Sequence, residues 1–197
     1  MKCGTCCSIP KDIEGNYIKR IPLYPEEVNK LIDIARERGI PLKVKEDLVF
    51  PDILNKKILV LTYRFILENS GYCIFHDPIV GCTIHENKPL SCQAYPLAIK
   101  RIDAFNLEIS IDPLCNWIEK NYENLKQLNL QNLKEIFSEE YENAITFLRK
   151  NKSLQLKIKK LEVEKKIKIS RQISLDDFNR FLKEWDRIEI ITKESQK

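Results

Sequence analysis

Hydrophobic positions along the chain fall into short patterns whose character changes from one third to the next. Residues 18–23 are short and strand-like. Pro25 opens a helix at its first position, where the missing N–H costs nothing, and Glu26 and Glu27 suit the positive end of its dipole. Val28, Leu31, Ile32 and Ala35 form its apolar stripe, and Gly39 caps its C-terminus. A loop with Pro41 and Pro51 leads to 57–67, a β-branched and aromatic run that reads as a strand. The stretch 71–96 is rich in turn residues. Phe105, Leu107, Ile109 and Ile111 then alternate with Asn, Glu and Ser, the pattern of a half-buried strand.

The last third changes to a longer period. Leu133, Ile136, Phe137, Tyr141, Ala144, Ile145 and Leu148 make a helical stripe within 114–151. Residues 154–169 read two ways, since Leu154, Leu156 and Ile158 alternate as in a strand while the Lys and Glu around them favour helix. Ser174 with Asp177 resembles a capping box, and Leu175, Phe178, Phe181, Leu182, Trp185 and Ile188 fit a terminal helix behind it. These elements predict an α+β chain. A small cysteine-rich, metal-binding domain occupies 1–115, and a mostly helical, basic region occupies 116–197.

A length of 197 residues suits one ordinary domain, or a core domain with a smaller appendage. The longest apolar runs, such as Ile58-Leu59-Val60-Leu61, fall far short of the roughly 20 residues that span a bilayer. No apolar signal segment precedes the first cysteine. The expectation is therefore a cytoplasmic protein without a membrane partner, in a compartment that keeps thiols reduced. The net charge of +4 is unevenly spread, with ten Lys or Arg against two Glu over 149–171. Such a segment suits a nucleic acid or an acidic protein partner, or is simply a solvated face. No aromatic residue is interleaved with these charges, so a single-strand stacking platform is missing.

The seven cysteines change the picture most. Cys3, Cys6 and Cys7 open the chain, Cys73, Cys82 and Cys92 lie in the turn-rich stretch, and Cys115 follows alone. Structural free cysteines scatter through apolar segments, whereas these sit beside Gly, Pro, Asp and Asn in turns that can fold thiolates inward. Cys73-x-x-His76 and Cys82-x-x-His85 have the spacing of a tetrahedral zinc site. That reading leaves five cysteines unexplained, and the alternative treats both histidines as surface or hydrogen-bonded. Adjacent Cys6 and Cys7 point apart in most backbone conformations, so they serve two metals, or one ligates while the other packs. A [4Fe–4S] cluster takes four cysteines, which seven can supply. The opening turn is expected next to the 73–92 loop, with sulfurs of the two clusters about 4–7 Å apart. The Pro89 turn aims Cys82 and Cys92 to one side as ligands, together with Cys73 and at least one of Cys6 and Cys7. Cys115 either ligates or simply packs at a helix start.

The run Cys3-Gly4-x-Cys6-Cys7, a Pro-Glu-Glu helix, then Cys73-x-Phe75, Gly81-Cys82-x-Ile84, Lys88-Pro89-x-x-Cys92 and Tyr95-Pro96 resembles the YkgJ-type cysteine-cluster family. The resemblance spans about residues 3–115. It implies a zinc- or iron-chelating domain, distantly similar to flagellin lysine-N-methylase, with Cys3, Cys6, Cys7, Cys73, Cys82, Cys92 and Cys115 as the chelating set. Members often carry a further cysteine three positions before the Cys-Gly step, a position that here precedes Met1. Where members carry Arg, this chain has Lys88 and Gln93, which lack the planar guanidinium. His76 and His85 stand where members commonly have apolar or aromatic residues, which supports reading them as non-ligands. The leading expectation is a protein holding an iron–sulfur cluster, with zinc as the alternative. Two competing readings are a lysine methyltransferase-like enzyme, against which stands the lack of a glycine-rich nucleoside loop, and an interaction module working through the basic region.

Overall fold

The computed structural model describes residues 4–8, 21–67, 71–126 and 130–192. In chain order, β1 (Pro22–Leu23), α1 (Pro25–Glu37), β2 (Val44–Asp52) and β3 (Lys57–Phe65) precede two short strands, β4 (His76–Asp77) and β5 (Gly81–Cys82). There follow α2 (Leu90–Gln93), β6 (Leu97–Arg101), β7 (Leu107–Ile111), α3 (Asn116–Leu125), α4 (Leu130–Ile136), α5 (Ser138–Val163), α6 (Leu175–Glu184) and β8 (Asp186–Glu189). Single 3₁₀ turns lie at Thr5–Cys7 and His85–Asn87. The class is α+β, with a C-terminal region that is largely helical. The chain forms two discontinuous units: Met1–Ile21 with Leu67–Arg149, and Pro22–Ile66 with Lys150–Lys197.

The second unit is built on β3. Strand β2 pairs along one edge, antiparallel, while β1 and β8 share the other, β1 opposite Tyr63 and Arg64 and β8, parallel, opposite Lys57 to Val60. Ile58, Leu59, Val60 and Leu61 are all buried, so both faces of this strand are covered. That is why its sequence reads as a continuous apolar run rather than an alternation. Helices α1 and α6 pack on it, and α1 buries Val28, Leu31 and Ala35. Gly39, at φ +65°, follows the helix in a Schellman arrangement: Ile40 N–H donates to Ala35 C=O and Gly39 N–H to Arg36 C=O. The buried Asp52 carboxylate closes the β2–β3 turn. It accepts from Leu54 N–H, Asn55 Nδ2 and Lys168 N–H, which offsets the cost of its desolvation.

Three elements differ from the sequence expectation in this unit. The expected loop between Pro41 and residue 57 contains strand β2; register shifts on either side of Leu48 break its alternation, and Pro51 hides the rest. Residues 154–163 are helical, burying Leu154 and Ile158 four residues apart. Only Ile169 keeps a strand-like bridge, to Asp52. The terminal helix stops at Glu184 instead of running through Ile188. The free edge of β3 pairs with Asp186–Glu189, and Arg187 donates to Leu182 C=O, to Trp185 C=O and to the Glu46 carboxylate. Ser174 caps α6 as expected, its hydroxyl accepting from Asp177 N–H.

The first unit has a smaller apolar cluster. Ala94, Leu97, Cys115, Ile118, Leu125, Phe137 and Ala144 are buried together, with Trp117 edge-on to Phe137 at 5.3 Å. The expected helices of 114–151 are present as α3, α4 and the start of α5, although Ile136 is exposed. Strand β7 begins at Leu107, and Phe105 lies in the preceding turn, 94% exposed. There the Asp103 carboxylate accepts from both Phe105 N–H and Asn106 N–H.

Candidate metal centre

Thr5–Cys7 folds into one 3₁₀ turn behind Gly4. Cys7 N–H donates to Gly4 C=O at 2.9 Å, and Gly4 takes φ +73°. A side chain at position 4 would also collide with the His76 ring, whose Nε2 lies 2.4 Å from where a Cβ would stand. Glycine is therefore required twice over, by the backbone angle and by close approach. Within this turn the Cys6 and Cys7 Sγ atoms stand 4.0 Å apart, so the two adjacent side chains do not diverge as expected.

The central loop meets this turn through its backbone. Cys73 N–H donates to Cys7 C=O at 2.8 Å, and Ser8 and Tyr72 form an antiparallel bridge beside it. Tyr72 stacks on His76 at 5.0 Å, so the imidazole is held between that ring and Gly4. Strands β4 and β5 pair His76 with Cys82, and the Asp77 carboxylate closes their turn by accepting from Ile79 N–H and Val80 N–H. Those two bonds hold Asp77 below the usual carboxylate range. Phe75 and Ile84 are buried and anchor the loop. Cys92 lies in α2, its N–H donating to Pro89 C=O, while Gln93 Nε2 donates to Lys88 C=O. Gln93 thus tethers the backbone at Lys88.

The thiols share one electrostatic neighbourhood. Contacts with the thiols of Cys6, Cys73 and Cys82, added to burial, push Cys7 far up. The Cys7 contact lowers Cys73 against the effect of its burial. Burial raises Cys92, and the nearby Cys6, Cys73 and Cys82 raise it further. Cys6, Cys7, Cys73, Cys82 and Cys92 thus lie close enough to influence one another's ionisation. Cys115 precedes the first turn of α3 and is buried in the apolar cluster. Cys3 lies outside the described residues. His76 packs on the opening turn, and His85 Nε2 lies 3.5 Å from Lys88 Nζ.

Among the described residues, no group of three or more Cys, His, Asp or Glu side chains is set in the arrangement of a ready metal site. The donor chemistry fits a soft or borderline ion all the same. Sulfurs about 2.3 Å from a tetrahedral ion stand roughly 3.8 Å from one another, close to the Cys6–Cys7 separation. A model of the CxxCxxCC family, described as "Putative zinc- or iron-chelating domain", matches residues 1–124. The chain belongs to the CxxCxxCC family. The match covers every cysteine and runs nearly to the end of α3. No curated protein and no solved structure matches this family member.

The basic segment has a different standing. Lys150 pairs with Glu26 and lies over the Tyr24 ring, and Lys157 donates to Ile191 C=O. Lys160 and Lys166 pair with Glu164, and Arg171 pairs with Glu162. At least five of its ten basic side chains thus contact their own chain. No helix of the described residues is long and apolar enough to cross a membrane.

Proposed function

We propose that this chain is a metal-binding protein of a reducing compartment such as the cytosol, holding one thiolate-bound ion, zinc or iron, through its two cysteine clusters. The observation that carries this reading is the joining of the two clusters, where Cys73 N–H donates to Cys7 C=O at 2.8 Å beside the Cys6 and Cys7 sulfurs, 4.0 Å apart. Cys92 completes the set, and Cys3 belongs to the same opening motif. Coordination would bind the turn to the loop where apolar burial is thin, and structural metal binding supplies about 10–16 kcal/mol in small domains. The close Cys6–Cys7 spacing favours a single ion, because thiolates on a cubane each cap a different iron. An iron–sulfur cluster is the second reading, favoured by the number of thiols, since four suffice for a [4Fe–4S] centre.

Anaerobic purification followed by counting iron, zinc and acid-labile sulfide per chain tests both. A colourless protein with one zinc supports the first reading. Iron with matching sulfide and a visible band bleached by dithionite supports the second. A chain that takes up neither metal after full reduction sinks the proposal.

A further inference from the structure

We propose that Cys7 and Cys73 form a reversible disulfide site for low-molecular-weight disulfides such as glutathione disulfide, and that its oxidation excludes metal. The competition with metal rests on the reading of these two residues as ligands. Their placement does not. Cys73 N–H donates to Cys7 C=O at 2.8 Å, beside the antiparallel Ser8–Tyr72 bridge. The bridge sets Cys7 opposite Cys73, and residues opposed across an antiparallel pair have Cα atoms about 4.5–5.5 Å apart, within the roughly 4.4–6.8 Å that a disulfide spans. The neighbouring pair Cys6–Cys7 is the poorer candidate, because consecutive Cα atoms stand about 3.8 Å apart, short of that span.

Cys7 and Cys73 are buried, whereas Cys82 is half-buried and pairs with His76, whose N–H donates to Cys73 C=O at 2.9 Å. Cys82 is the entry point. Its thiolate attacks one sulfur of glutathione disulfide, breaking that S–S bond and releasing glutathione, which takes up the proton Cys82 gave. The Cys7 sulfur then attacks Cys82 and expels the second glutathione. Cys73 attacks Cys7, forming the Cys7–Cys73 bond and returning Cys82 as a free thiol. Two protein thiols have lost two electrons and two protons, and one glutathione disulfide has become two glutathiones. The product lacks two thiolates that a metal would need.

The test uses the full chain, reduced and metal-free, exposed anaerobically to glutathione disulfide, alkylated and digested. Fragmentation of the linked peptides should locate one bond between Cys7 and Cys73, with two alkylatable thiols lost. Zinc or iron uptake should fall at least tenfold and recover with dithiothreitol, and prior metal loading should slow the reaction at least tenfold. Cys82→Ser should slow formation of the bond without moving it. A bond mapped elsewhere, or none, overturns the inference while leaving metal binding by the reduced chain intact. Metal uptake equal in oxidised and reduced protein overturns the competition. A reduced chain that binds no metal removes both the competition and the proposed function.

Discussion

The two units of this protein solve the same problem with different materials. The second places a strand buried on both faces between helices and ties its turns with Asp52 and Arg187. The first has a modest apolar cluster and a cysteine loop anchored by buried Phe75 and Ile84. Apolar burial is available whenever the chain is in water, whereas thiolates add stability to a fold chiefly when an ion binds them. On the proposed reading, the comparison sets a unit held by apolar burial against one whose cysteine loop is tied by a bound ion.

Removing the ligand should break the comparison most sharply. In metal-loaded protein, chelation or Cys92→Ser should strip hydrogen-exchange protection from residues 71–93 and leave β3 protected. The loss should approach the roughly 10 kcal/mol that structural metal binding supplies. Equal loss in both units would show that they do not differ in this way. Gly4→Ala comes next. Forcing a side chain to φ +73° costs about 2 kcal/mol, or roughly thirtyfold in metal affinity, before the collision with His76 is counted. Adding His76→Ala should relieve the collision and leave the backbone cost.

How much of this was legible divides along the same line. The cysteine motifs announced the meeting of the opening turn with the central loop, because turn residues around those cysteines predict an inward fold. Helix α1 and the cap of α6 were legible too, since Pro25, Gly39 and Ser174 act on their own neighbours. Strand β2 was hidden because its shifted register erases the alternation a reader would seek. Strand β8 was hidden for another reason: Ile188 continues a helical stripe, and only the vacant edge of β3 turns it into a strand. The Cys6–Cys7 pair misled because side-chain direction follows the backbone, and the 3₁₀ turn was not visible in the residues alone.

Smaller effects sharpen the contrast from the other side. Asp52→Ala leaves three donors without their acceptor and should cost about 2–3 kcal/mol, read as lost exchange protection in the second unit with metal content unchanged. Ser174→Ala should cost about 1 kcal/mol, confined to α6 and visible as faster exchange in its first turn. Metal loss in either variant would show that the cysteine loop draws on the second unit.

The interleaved order of the two units has a consequence during synthesis. Cys7 leaves the ribosome about 85 residues before Cys92, a delay of roughly 4–17 s at ordinary elongation rates. Through that interval the nascent chain carries an opening thiol turn without its partners, while β1 to β3 emerge in between. If the proposed ligand set holds, the growing polypeptide must keep those first sulfurs reduced and uncommitted until Cys92 arrives.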